Sequence, residues 1–162
     1  MTNHIAYLAL GSNLGNRLSH LKNAISNLTP QMEVKKKSPV YETPPWGYAD
    51  QPPFLNQVVM VTTYLEPEQL LSHLKRLETV LGREPTFENG PRVIDVDILF
   101  YDDIIINSPP LVIPHPRLHT RAFVLVPLND LAPDLVHPLM GKTVNELLLN
   151  VDRLNISEYK GK

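Results

Sequence analysis

The chain has 162 residues, 43% of them apolar, enough for one domain (expected over 1–162) around one core. A formal net charge of −2, with 15 Lys and Arg against 17 Asp and Glu, leaves no basic footprint for nucleic acid or an anionic membrane. No Cys is present, which excludes disulfides, thiolate metal sites and a Cys nucleophile.

The first residues lack the basic and apolar regions of a secretion signal, and 5–10 is a short apolar run that reads as a buried strand ended by Gly11-Ser12-Asn13. Asn16 then caps a helix with Leu18, Leu21, Ile25 and Leu28 at helical spacing, stopped by Pro30. The segment 34–41 reads as a second strand. Prolines break 43–53 into turns. The Val- and Thr-rich segment 54–64 is a third strand. Pro67 opens a second helix with Leu70, Leu71, Leu74, Leu77 and Leu81 on one stripe, and Gly82 closes it. A polar loop over 83–92 leads into a fourth strand, 93–101. Residues 104–106 are expected to pair back on that strand as a short hairpin, and 109–116 to form a rigid loop. Thr120 and Thr143 are placed to cap two short helices, and the polar tail from Ser157 is expected to be loose. The order β-α-β-β-α-β with a C-terminal elaboration predicts an α+β, ferredoxin-like antiparallel sheet with helices on its faces. Sixteen prolines, roughly twice the average share, point to several rigid loops around it. No run reaches the roughly 18 apolar residues a membrane helix needs, so a cytoplasmic protein is expected.

The most informative segment is Gly90-Pro91-Arg92-Val93-Ile94-Asp95-Val96-Asp97-Ile98-Leu99. Strand side chains alternate, so Ile94, Val96, Ile98 and Phe100 are expected on one face and Asp95 and Asp97 on the other, with Cβ atoms roughly 6.5–7 Å apart. Two charges at that distance repel by about 2–3 kcal/mol at an effective dielectric near 20. Mg²⁺ relieves that repulsion, because it takes carboxylate oxygens and shares phosphate oxygens with a substrate. Two such ions fit as well. A solvated strand face is the competing reading of a D-x-D pattern. The apolar flanks and Arg92 three residues upstream favour a metal beside a polyphosphate.

Arg83, Arg92, Arg117 and Arg121 bracket the pair and read together as phosphate clamps, against surface ion pairs for any one alone. His115, between Pro114 and Pro116, has a rigid backbone suited to a ligand contact or simply to loop shape. His4, His20, His73, His119 and His137 lack such context. Trp46 and Phe123 are either core aromatics or the two sides of a slot for a flat heterocycle. Asn56 is an amide in an apolar strand, where it needs partners, from backbone or from a ligand.

These motifs together resemble the 6-hydroxymethyl-7,8-dihydropterin pyrophosphokinases of folate biosynthesis. The resemblance runs in order through Gly11-Ser12-Asn13-Leu14-Gly15, Tyr41-Glu42-Thr43-Pro44-Pro45, Phe54-Leu55-Asn56, Gly90-Pro91-Arg92, Asp95-Val96-Asp97-Ile98-Leu99, Pro114-His115-Pro116-Arg117 and Arg121-Ala122-Phe123-Val124-Leu125. It implies transfer of a pyrophosphoryl group from ATP to the hydroxymethyl group of the reduced pterin, with release of AMP. It implies two Mg²⁺ ions on Asp95 and Asp97, and catalytic roles for those two with Arg83 and Arg92. It implies a pterin site at Thr43, Pro44, Trp46, Asn56 and Phe123, and an ATP site at Glu78, Arg83, Arg92, Ile98, His115 and Arg121. Small-molecule substrates and a monomer are expected, with no nucleic-acid or membrane partner. The chain departs from the family pattern at Arg83-Glu84-Pro85-Thr86-Phe87-Glu88-Asn89, where a second Arg and a Trp are usual. The alternatives are a two-metal phosphohydrolase, and a non-catalytic relative that binds pterin or ATP.

Overall fold

A computed structural model describes residues 2–45, 49–153 and 155–161. The expectation for Trp46 therefore lies outside the described residues. The chain order is β1 (His4–Ser12), α1 (Arg17–Ser26), β2 (Met32–Lys37), β3 (Tyr41–Thr43), β4 (Phe54–Thr63), α2 (Pro67–Val80), β5 (Asp95–Tyr101), β6 (Ile106–Ser108), β7 (Leu111–Ile113), α3 (Ala122–Leu131), α4 (Val144–Leu148) and β8 (Ser157–Glu158). A 3-10 turn at Leu118–Thr120 precedes α3.

β1 lies second from one edge of the main sheet, antiparallel to β4 on one side and to the edge strand β5 on the other. β2 and β3 both pair with β4, and β8 pairs with β3. This is the expected ferredoxin-like arrangement. Alternation along each strand gives the sheet two apolar faces. Ala6, Leu8, Leu10, Leu55, Val59, Val61, Val96 and Ile98 face α1 and α2, and pack with Leu21, Ala24, Leu70, Leu74 and Leu77. Tyr7, Val58, Leu99 and Phe100 face the other way, against Leu125 and Leu128 of α3 and Leu147 and Leu148 of α4. No described helix is long and apolar enough to cross a membrane.

Local chemistry explains the ends. Asn16 accepts from the Ser19 N–H at the start of α1. Thr143 and Glu146 form a reciprocal capping box on α4. Thr143→Ala should therefore cost about 1 kcal/mol of stability, measurable by urea titration.

Six expectations need correction. First, β1 does not stop at residue 10; Gly11 and Ser12 stay in the strand because β4 pairs with both. Second, 34–41 is two strands on the same neighbour β4, because Pro39 has no N–H to donate and the pairing breaks there, past the Ser38 N–H that donates to the Val58 carbonyl. Third, 104–106 does not return to β5. Ile106–Ser108 pairs instead with Leu111–Ile113 across the two-residue Pro109-Pro110 link, so most of the supposed rigid loop is a hairpin. Fourth, Thr120 does not cap α3; its hydroxyl donates to the Arg117 carbonyl, and α3 starts after Arg121. Fifth, the tail is not loose, since Ser157 and Glu158 pair with Glu42 and Tyr41. Sixth, Phe100 does not share a face with Val96 and Ile98. The pairing with β1 shifts between Tyr7 and Leu8, leaving Leu99 as the extra residue of a bulge. One extra residue inverts the alternation beyond it, so Phe100 joins Tyr7 and Tyr101 joins Ile98.

Candidate active site

Where α3 and α4 leave the sheet uncovered, three adjacent strands form the floor of an open cleft of about 700 Å³. The register sets Asn56 of β4, Gly11 of β1 and Asp95 of β5 in one row across the strands. The next row is Val58, Ala9 and Asp97. Small residues in the middle strand leave the space above the floor open. A Cβ on Gly11 would lie 3.1 Å from the Asn56 side-chain oxygen. We expect Gly11→Ala to push the Asn56 amide aside and to weaken about 3- to 10-fold the binding of a ligand seated against the Asn56–Thr43 pair, as measured by calorimetric titration.

Asp95 and Asp97 both line this cleft, as alternation requires. Asp95 is held by two guanidinium groups: Arg83 donates to one oxygen at 2.8 Å and Arg92 to the other at 3.3 Å. Burial pushes the Asp97 carboxyl up to about 7, and the nearby charge of Asp95 adds to the shift. A pair in which one carboxylate recruits two arginines and the other resists ionisation is short of positive charge. Its hard oxygen donors suit Mg²⁺, which needs few protein ligands because water and phosphate complete its octahedron.

Arg92 is aimed by its backbone. Its N–H donates to the Asn13 side-chain oxygen at 2.8 Å, and its carbonyl accepts from the Asn13 N–H at 3.1 Å. The Asn13 amide, 2% exposed as a residue, also donates to the Gln51 side chain and the Pro52 carbonyl. Gln51 in turn donates to the Asn89 carbonyl. The turn after β1 thus ties the loop before β4 to the loop before β5.

On the opposite wall the Asn56 amide donates to the Thr43 hydroxyl at 2.7 Å. That bond orients both groups and leaves the Asn56 oxygen toward Gly11. Phe54 and Phe123 contribute aromatic rings to the cleft, with Arg92 over the first and Arg121 over the second. His115 also lines the cleft. Its Nδ1 accepts from the Arg117 N–H, so Nε2 carries the proton and is the available donor. Burial, and then the Arg121 charge, push the His115 imidazole down to about 4, keeping it neutral.

The cleft therefore gathers Thr43, Pro44, Asn56, Arg92, Asp95, Asp97, His115, Arg121 and Phe123. A second groove, formed by Leu71, Lys75, Ile98, Leu111 and Val112 among others, shares Asp97 and His115 with it. Ile98 lies there. Arg83 reaches the site through Asp95. Glu78 lines neither cavity, and exposed Arg117 lines neither but donates its backbone N–H to His115. Sequence reasoning missed Phe54, Gly11 and the Asn13–Gln51 link. Phe54 was legible, since it stands two residues before Asn56 and shares its face. The link was not, because it joins residues 38 positions apart.

A model of the 7,8-dihydro-6-hydroxymethylpterin-pyrophosphokinase (HPPK) family matches residues 7–133. The chain is 46% identical over 157 residues to the 2-amino-4-hydroxy-6-hydroxymethyldihydropteridine pyrophosphokinase of Methylorubrum extorquens, covering 96% of this chain and 98% of that one. It is 44% identical over 149 residues to the folic acid synthesis protein FOL1 of Dictyostelium discoideum, covering 92% of this chain but only 23% of that protein. In fold it is similar to an HPPK-DHPS of Plasmodium falciparum, with a TM-score of 0.79, 18% identity, and coverage of 97% of this chain and 47% of that one. The long match to the family model, together with the near full-length likeness to the Methylorubrum enzyme, shows that this chain belongs to the 7,8-dihydro-6-hydroxymethylpterin-pyrophosphokinase family.

Proposed function

We propose that this chain transfers the β,γ-pyrophosphoryl group of ATP to the hydroxymethyl oxygen of 6-hydroxymethyl-7,8-dihydropterin, releasing AMP, as a cytoplasmic enzyme of folate biosynthesis. The observation that carries the reading is the junction of the two cavities. The cleft and the groove meet at Asp97 and His115, so an acceptor in one and a nucleotide in the other come together at the carboxylate pair.

The row across the sheet supports the same orientation. Asn56 and Asp95 stand two strand spacings apart, roughly 10 Å, with nothing larger than Gly11 between them. A pterin whose amide edge meets Asn56 and Thr43 extends its hydroxymethyl arm toward Asp95 and Asp97. Its flat ring is flanked by Phe54 and Phe123. Trp46 remains a further candidate for stacking. Pro44 shapes the adjoining wall. The nucleotide follows the groove along Ile98 toward His115, with Arg83, Arg92 and Arg121 beside its phosphates.

Asp95 and Asp97 would hold two Mg²⁺ ions, which supply charge neutralisation on the triphosphate. The protein's own contribution is positioning and a fixed field. The neutral His115 Nε2–H can donate to a phosphate oxygen, and the arginines cancel charge that the ions leave. The hydroxymethyl oxygen bonds to the β-phosphorus, the bond from that phosphorus to the α,β-bridging oxygen breaks, and the alcohol proton passes to solvent. One copy of the chain supplies every residue named, so we read it as acting as a monomer.

The test is direct. With ATP, Mg²⁺ and the reduced pterin alcohol, AMP and the pterin diphosphate should accumulate in equal amounts. ADP or free phosphate would overturn the reading in favour of a hydrolase. Binding without any nucleotide product would leave a non-catalytic relative.

A further inference from the structure

Among the described residues β5 is an outermost strand of the main sheet, with β1 as its one neighbour there. An edge strand presents N–H groups that no partner strand satisfies. One of them belongs to Val96, between the two aspartates. It donates to the Glu78 Oε2 at 2.7 Å. The other Glu78 oxygen accepts from Arg83 at 2.9 Å, with the Lys75 ammonium 3.5 Å away. Glu78 is 3% exposed, and it comes from α2, which packs on the sheet face opposite the cleft. Its helix is anchored in the core by Leu70, Leu74 and Leu77. The carboxylate therefore reaches the strand edge from a rigid base.

We propose that Glu78 is a positioning residue for the carboxylate pair, capping the edge of β5 between Asp95 and Asp97 rather than binding nucleotide. The inference rests on the reading that this pair holds the metal. Fixing the Val96 N–H fixes the peptide plane that joins Asp95 to Val96, and so steadies the short stretch of strand edge from which both aspartates leave the backbone. The same carboxylate braces Arg83 against Asp95. Catalytic geometry is sensitive to displacements of about 1 Å, which a free strand edge permits.

Two substitutions separate reach from charge. Glu78→Gln keeps an oxygen at the right distance for the Val96 N–H and loses the charge; Arg83 retains Asp95 as a partner. Glu78→Asp keeps the charge but is one methylene too short to hold both groups. Three measurements on each variant decide the matter. They are amide exchange at Val96 in metal-free protein by NMR, Mn²⁺ affinity with a non-hydrolysable ATP analogue by EPR, and affinity of that analogue in EDTA.

Glu78→Gln should keep Val96 protection and Mn²⁺ affinity within about threefold of the parent. Glu78→Asp should speed Val96 exchange and weaken Mn²⁺ by about tenfold or more, lowering kcat with an unchanged pterin KM. Analogue affinity in EDTA should stay within about twofold in both. The proposal is overturned if Glu78→Gln weakens Mn²⁺ as much as Glu78→Asp does, if Glu78→Asp leaves Val96 protected, or if either variant loses metal-free nucleotide affinity about fivefold. Should Glu78→Asp fail to fold, the Glu78→Gln results alone decide, since loss of Val96 protection or of Mn²⁺ affinity in that variant contradicts the cap. A parent chain that makes no AMP would overturn the proposed function, while the exchange at Val96 would still report on the cap by itself.

Discussion

Asp97→Asn should lower AMP formation by at least about a thousandfold, because it removes a charge that no other cleft residue supplies at that point. The same change should stabilise the metal-free protein. In the fold the Asp97 carboxyl is raised from 3.8 to about 7, chiefly by burial, so the folded state holds its proton more tightly than the unfolded chain. A raised folded pKa contributes stability that is fully present below the unfolded value and lost as pH climbs through the folded one. The Asp97 contribution to the parent's stability therefore falls away between about pH 4 and pH 7, and the asparagine variant lacks that loss. In EDTA at pH 8 the variant should melt at least about 2 °C higher, and the difference should shrink toward pH 5. Equal melting curves at pH 8 would contradict the buried-charge account. AMP formation at the parent rate would remove Asp97 from the metal site.

The second large effect is expected at the aromatic walls. Phe123→Ala should weaken pterin binding about 10- to 100-fold, since stacking a flat heterocycle on one aromatic is worth roughly 1–3 kcal/mol. Phe54→Ala should behave alike, and nucleotide affinity should hold in both. Isothermal titration with the pterin, in the presence of an unreactive nucleotide, measures the effect. An unchanged pterin affinity in Phe54→Ala would mean that Phe54 faces the cleft without touching the ligand, and would return the second stacking position to Trp46.

Much of the site was legible because it is written in short strands. Asp95 and Asp97 are two residues apart, and so are Phe54 and Asn56; a period of two puts each pair on one face. The apolar residues between them mark the opposite face as core. The bulge at Leu99 was not legible. An inserted residue has no local signature in Ile98-Leu99-Phe100-Tyr101, where every side chain is apolar and buried. Only the pairing with β1 reveals that the count is off by one. The hairpin Ile106–Ser108 with Leu111–Ile113 was misread for a related reason. Two adjacent prolines suggest a stiff loop, yet in a two-residue link they leave the flanking residues free to pair.

Glu78 shows the limit most clearly. Its place on the stripe side of α2 is readable from helical spacing, and a buried carboxylate there demands a partner. Which partner it takes depends on where the edge of β5 lies against α2.

The amino-acid sequence by itself determined the core β-α-β-β-α-β order, the two-faced strands, the paired carboxylates and the absence of thiol chemistry, because each follows from spacing within about ten residues or from composition. The tertiary structure alone decided that Asn13 joins two distant loops and that Asn56, Gly11 and Asp95 line up across three strands. It also decided that Glu78 turns inward to a strand edge. Those arrangements depend on which strands become neighbours and in what register, and pairing between distant segments is set by the packing of the whole chain.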